Sequence, residues 1–148
     1  MIVQLAVGTF LIILTVFIHA AALDIIIRDT RKWHPPLAKK FYRTRKGLKI
    51  SAVILGVCMA NALEILLWAL FYLGADALPE NTLESALYFS TSSFTTVGFG
   101  DLVLDEKWRF LSAIESVNGF ILFGWSTAFI FEIISQLYRK EAEALKQI

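Results

Sequence analysis

Apolar positions along this chain run in long blocks rather than short alternating periods. Residues 2–23 contain no Lys, Arg, Asp or Glu, and residues 50–75 contain one charged residue, Glu64. Residues 110–137 form a third block, interrupted by Glu115 and Glu132. Each block exceeds the ~20 apolar residues that cross a bilayer as a helix. The pattern predicts spanning helices at about 3–27, 49–74 and 108–138. A shorter helix is expected between the second and third spans, at about 82–95, where Leu83, Ala86, Leu87 and Ser90 recur at helical spacing. Asn81, three residues before Glu84, has the form of a capping box, and Pro79 lies just outside it. The expected fold class is an all-α membrane protein with three transmembrane helices and a short helix between the last two.

Charge orients these elements. Arg28, Arg31, Lys32, Lys39, Lys40, Arg43, Arg45, Lys46 and Lys49 lie between the first two spans, opposed only by Asp29. The positive-inside bias assigns this loop to the cytoplasm. Asp76, Glu80 and Glu84 follow the second span and suit the outer side. Arg139, Lys140 and Lys146 follow the third and fall inside. The expectation is an N-terminus outside and a C-terminus in the cytoplasm, in a plasma or bacterial inner membrane. The chain divides into an N-terminal span (1–28), a basic interfacial segment (29–48), a two-span unit (49–138) and a short tail (139–148). Ala20-Ala21-Ala22 resembles a signal-peptide cleavage site, but Met1-Ile2-Val3-Gln4 lacks a positive start and the apolar run is long, which favours a retained span. His34-Pro35-Pro36 interrupts any helix. Leu37 to Lys49 then mixes apolar residues with cations, as in a helix lying on the inner membrane surface. Lys39, Lys40, Arg43 and Arg45 are candidate ligands for anionic lipid. The alternative is that these cations only set topology.

Composition narrows the function. Of 148 residues, 57% are hydrophobic, and the mean hydropathy is +0.63, which excludes an ordinary soluble domain. The net charge of +1 carries no signal, because the charges are segregated. Cys58 is the single cysteine, so no intrachain disulfide is available. No phosphate-binding glycine loop, catalytic triad or zinc spacing occurs, and neither enzymatic activity nor nucleic-acid binding is expected.

The most informative motif is Thr95-Thr96-Val97-Gly98-Phe99-Gly100-Asp101. Gly98 and Gly100 reach positive φ without a Cβ clash, so successive carbonyls can turn to one side. Rings of such carbonyls replace the hydration shell of a monovalent cation. The preceding helix would aim the negative end of its dipole at the membrane centre. Irregular backbone at that depth is tolerated only where it is buried in protein or lines water.

The segment resembles the signature of tetrameric potassium channels, and the resemblance extends over about residues 49–138. It implies a homotetrameric pore with a re-entrant helix and a K⁺ filter. The filter ligands would be the carbonyls of Thr96, Val97, Gly98 and Phe99, with the Thr96 hydroxyl. Thr95, Gly100 and Asp101 would support them, and Tyr88 and Phe89 occupy the place of a bracing aromatic pair. Phe99 replaces the commoner tyrosine, and Phe89 offers no donor, so this filter is expected to deform more readily. Gly119 falls about where the family has its hinge glycine, and Phe120, Phe123, Thr127 and Phe131 would then face the cavity or gate. Glycine in a helix also permits close packing; hinge is favoured for Gly119 and packing for Gly124.

Ionisable residues inside a span are functional candidates by default. Asn61 with Glu64, and Glu115 with Asn118, each share a helix face. At 1.5 Å per residue both acids lie roughly 12–14 Å below the outer ends of their helices. They form a candidate proton-sensitive cluster, or a purely structural set with Ser90, Ser92 and Ser93. Glu132 is placed to concentrate cations or to pair with the basic segment. His19 is expected to make an interhelical hydrogen bond. The function these residues point to is passive conduction of dehydrated K⁺, with K⁺ as the bound ion and other copies of the chain and membrane lipids as partners. A less selective cation channel and a non-conducting auxiliary subunit of a potassium transport system are the alternatives.

Overall fold

The computed structural model describes the backbone of residues 1–32 and 39–146, and the side chains of 1–32 and 44–143. Four helices follow in order: α1 (Ile2–Arg31), α2 (Lys39–Gly74), α3 (Leu83–Phe94) and α4 (Arg109–Lys146). The described residues include no strand. Three stretches are long and apolar enough to cross a membrane: Ile2–Arg31, Thr44–Gly74 and Arg109–Glu143. The 12 residues of α3 reach only about 18 Å at 1.5 Å per residue, too short for a ~30 Å hydrocarbon core.

α2 begins ten residues earlier than the apolar pattern places it. The basic residues from Lys39 onward continue into the span as one helix, because Lys, Arg and Leu favour helix and no proline follows Pro36 in this stretch. α4 likewise runs past Tyr138 to Lys146. Of the proposed lipid ligands, Lys39, Lys40 and Arg43 lie outside the described side chains; Arg45 is exposed.

α1 packs against both α2 and α4, and α3 lies between α2 and α4. The main core gathers around α3: Trp68 and Tyr72 of α2, Phe89 and Phe94 of α3, and Leu111 and Leu122 of α4 are buried together, with Leu11 of α1. A second cluster joins Val53, Ile133 and Leu137 toward the opposite end. At that end Lys46 Nζ meets Glu141 Oε2 at 2.6 Å and lies 3.8 Å from the Tyr138 ring, while Lys49 pairs with Asp29. These two pairs tie α2 to α4 and to α1. Phe10, Phe17, Leu55, Phe120 and Phe131 remain exposed on the single chain. So much apolar surface suits lipid or neighbouring protein as its surroundings.

Candidate functional site

α3 carries the candidate filter on its C-terminal end. Its N-cap is Thr82, whose hydroxyl accepts a hydrogen bond from the Ser85 N–H at 3.2 Å. Asn81, expected to be the cap, instead donates from Nδ2 to the Leu73 carbonyl at 3.0 Å. That carbonyl, at the end of α2, also accepts from Asp76 N at 3.4 Å, and the cap passes to the next residue able to supply an oxygen.

Beyond Phe94 the chain reverses through residues of alternating hand. Positive φ recurs at Thr96 (61°), Gly98 (59°) and Gly100 (79°), and not at Val97 or Phe99. The two glycines were anticipated; Thr96 was not, and a left-handed non-glycine costs about 1–2 kcal/mol. Three tethers hold this path. Thr96 N donates to Ser93 O at 3.0 Å and Gly98 N to Ser92 O at 3.1 Å. Phe99 N donates to Ser92 Oγ at 3.2 Å. In a trans peptide the N–H and the carbonyl of the same unit point in opposite directions, and no cis bond occurs among the described residues. The carbonyls of Thr95, Val97 and Gly98 therefore turn away from α3, toward the side where the segment is exposed. Ser92 joins the loop rather than the buried acids.

Asp101 ends the segment. Tyr88 Oη donates to its Oδ2 at 2.8 Å, and Leu102 N donates to Oδ1 at 3.0 Å. The Tyr88 hydrogen bond holds the Asp101 carboxyl below its usual range and raises the Tyr88 phenol in turn. The Tyr88 ring stacks on Phe99, with centroids 6.1 Å apart and planes 11° from parallel. Tyr88 thus braces the segment by a hydrogen bond and by stacking. Phe89 turns inward instead and meets Tyr72 edge to face at 5.3 Å. Between α3, the segment and α4 lies a cavity of about 220 Å³, lined among others by Ser92, Gly98, Asp101, Arg109 and Ser116.

The acids divide into two networks rather than one cluster. Glu115 accepts from Tyr72 Oη at 2.8 Å on one oxygen and from Ser90 Oγ at 2.5 Å on the other, joining α2, α3 and α4. Glu64 Oε1 meets His19 Nδ1 at 2.8 Å, and His19 Nε2 meets Ser126 Oγ at 3.3 Å. Asn118 donates to Thr15 Oγ1 at 2.9 Å, so it belongs to the α1 contact and not to Glu115. Equal depth along the helices did not bring the acids together, because the rotation of each helix about its axis aims them at different neighbours. Ser93 also stays apart from the acids; its carbonyl accepts from Ser116 Oγ at 2.9 Å. Glu132 pairs with Arg139 at 3.0 Å on its own helix; Lys39, Lys40 and Arg43 of the basic segment lie outside the described side chains.

The two α4 glycines differ in their surroundings within the chain. A Cβ on Gly119 would stand 2.0 Å from the Phe94 carbonyl oxygen, whereas one on Gly124 would meet nothing within 4 Å. Gly119 is the packing glycine, set against the last residue of α3. Phe123 leans on Phe94 edge to face, at 5.5 Å, and is half-buried. Phe120, Thr127 and Phe131 are exposed on the single chain.

Comparison with known proteins agrees with this architecture. A family model described as an ion channel matches residues 53–136, more than half of the chain. The chain belongs to this ion channel family. The matched stretch holds most of α2, all of α3, the Thr95–Asp101 segment and most of α4, the two-span potassium-channel type of domain. α1 lies outside the match. No curated protein and no solved structure matches the chain.

Proposed function

We propose that four copies of this chain surround a common axis and conduct dehydrated K⁺ passively through the backbone carbonyls of Thr96, Val97, Gly98 and Phe99. The observation that carries this reading is the pair of N–H tethers to Ser92, which turns the Val97 and Gly98 carbonyls to the open side. One chain presents a single column of carbonyls. A cation stripped of water needs oxygens on all sides, so copies related by a closed rotation complete each ring.

In this arrangement α3 enters and leaves the membrane on one side, and the positive loop between α1 and α2 lies in the cytoplasm. Phe120, Thr127 and Phe131, exposed on the single chain, face the conduction path or a neighbouring copy. Phe99 lacks the hydroxyl of the commoner tyrosine, and conduction is expected to decay at the filter; Phe99→Tyr should slow that decay.

Purified protein in a planar bilayer with mixed K⁺ and Na⁺ tests the proposal. Single-channel currents that reverse near the K⁺ equilibrium potential are the expected result. Equal permeability to Na⁺ would replace it with a less selective cation channel. Reproducible absence of current would favour an auxiliary subunit.

A further inference from the structure

Glu64 sits between two polar groups that have no partner. Its Oε2, the Oδ1 of Asn61 and the Nε1 of Trp68 are buried and make no hydrogen bond. Glu64 and Trp68 are fully buried and Asn61 is 8% exposed. The three residues stand at i−3, i and i+4 on α2, and so form one stripe. Their types are complementary in an ordered way. Trp68 Nε1 only donates, Asn61 Oδ1 only accepts, and a carboxyl oxygen accepts when ionised but donates when it carries the proton. A buried polar group left unpaired is costly, so each protonation state of Glu64 draws its free oxygen toward a different neighbour.

We propose that Glu64 is a proton-binding site at the junction of α1, α2 and α4, in which one proton switches its Oε2 from accepting the Trp68 indole N–H to donating to the Asn61 carbonyl oxygen. The step is the addition of one proton from water to the carboxylate, with no other bond made or broken. The remaining oxygen, Oε1, stays with His19 Nδ1 at 2.8 Å. Because that oxygen accepts only, His19 carries a proton on Nδ1, and its Nε2 meets Ser126 Oγ at 3.3 Å.

Protonation converts a charge-assisted bond between α1 and α2 into a neutral one of about half the strength. The grip of α1 on the two helices of the family domain therefore loosens as the proton binds. The titratable neighbour from α1 is His19. From α4, Ser126 and the Trp125 ring, 5.1 Å from His19, face the pair. Glu115 of α4 has both oxygens engaged by Tyr72 and Ser90. On α3 the acid, Glu84, is exposed.

The inference requires no particular ion selectivity, so its test needs no current. Infrared titration of the purified full chain over roughly pH 4 to 9 should show a protonated-carboxyl stretch that Glu64→Gln removes. Trp68→Phe withdraws the donor from the ionised state and should raise the midpoint by about half to one pH unit; Asn61→Leu withdraws the acceptor from the protonated state and should lower it by a similar amount. Opposite shifts support the switch; where one variant folds poorly, the sign required of the other still tests it. A band unaffected by Glu64→Gln, or shifts of equal sign, would overturn it. A channel that fails to select K⁺ but retains the two opposite shifts would refute the proposed function and leave this site standing.

Discussion

Gly119 offers the sharpest test of how α4 supports the candidate filter. In Gly119→Ala the new methyl would lie 2.0 Å from the Phe94 carbonyl oxygen, 2.8 Å from its carbonyl carbon and 3.0 Å from its ring. Ordinary contact begins near 3.4 Å, so one helix must retreat by more than an ångström. The obstacle is backbone and cannot rotate aside. Overpacking of this kind costs typically about 1–3 kcal/mol. Alanine otherwise favours a helix over glycine by about 1 kcal/mol, so a pure hinge would gain stability on the same substitution. The sign of the change separates the two roles. Phe94 also leads directly into Thr95 and Thr96, and its displacement disturbs the tether from Thr96 N to Ser93 O. Thermal or denaturant unfolding of the purified protein, paired with ion flux, should show Gly119→Ala destabilised and impaired. Gly124→Ala, with open space around it, should be neutral or more stable. A Gly119→Ala protein as stable as the parent would refute the packing argument.

Three further outcomes follow from the hydrogen bonds. Tyr72→Phe removes the hydroxyl that holds one oxygen of Glu115 and should destabilise the fold by about 1–2 kcal/mol in denaturant titration. In Tyr88→Phe the Asp101 carboxyl loses the bond that depresses it. A depressed acid contributes stability above its unfolded value and loses it as pH falls through the folded one. The variant should therefore lose the Asp101 contribution at a higher pH than the parent, read from current against external pH or from carboxyl NMR. Lys46→Met removes a half-buried pair with Glu141 and a cation–π contact with Tyr138; an effect of up to about 1 kcal/mol is expected, and a Lys46→Glu, Glu141→Lys exchange should recover part of it.

Much of this architecture was legible along the chain. The bilayer makes a simple demand, and three long apolar blocks meet it wherever their side chains point. Glycine at 98 and 100 was legible for a similar reason: positive φ is nearly free only without a Cβ. The cap of α3 was legible only to within one residue, because Asn81 is drawn to a carbonyl of α2 that is distant in sequence.

What the linear order could not contain is azimuth and approach. Depth along a helix follows from counting residues. Which neighbour each acid meets depends on how the helices rotate and cross, and packing around Tyr72, Phe89 and Phe94 decided that. The same packing set Gly119 against a carbonyl and left Gly124 open. It also placed Ser92 under the N–H groups of Gly98 and Phe99. The sequence by itself determined the spans, the segment between them and the residues able to adopt its backbone. The tertiary structure decided which way its carbonyls face, because that direction depends on tethers between a helix end and the loop that folds back over it.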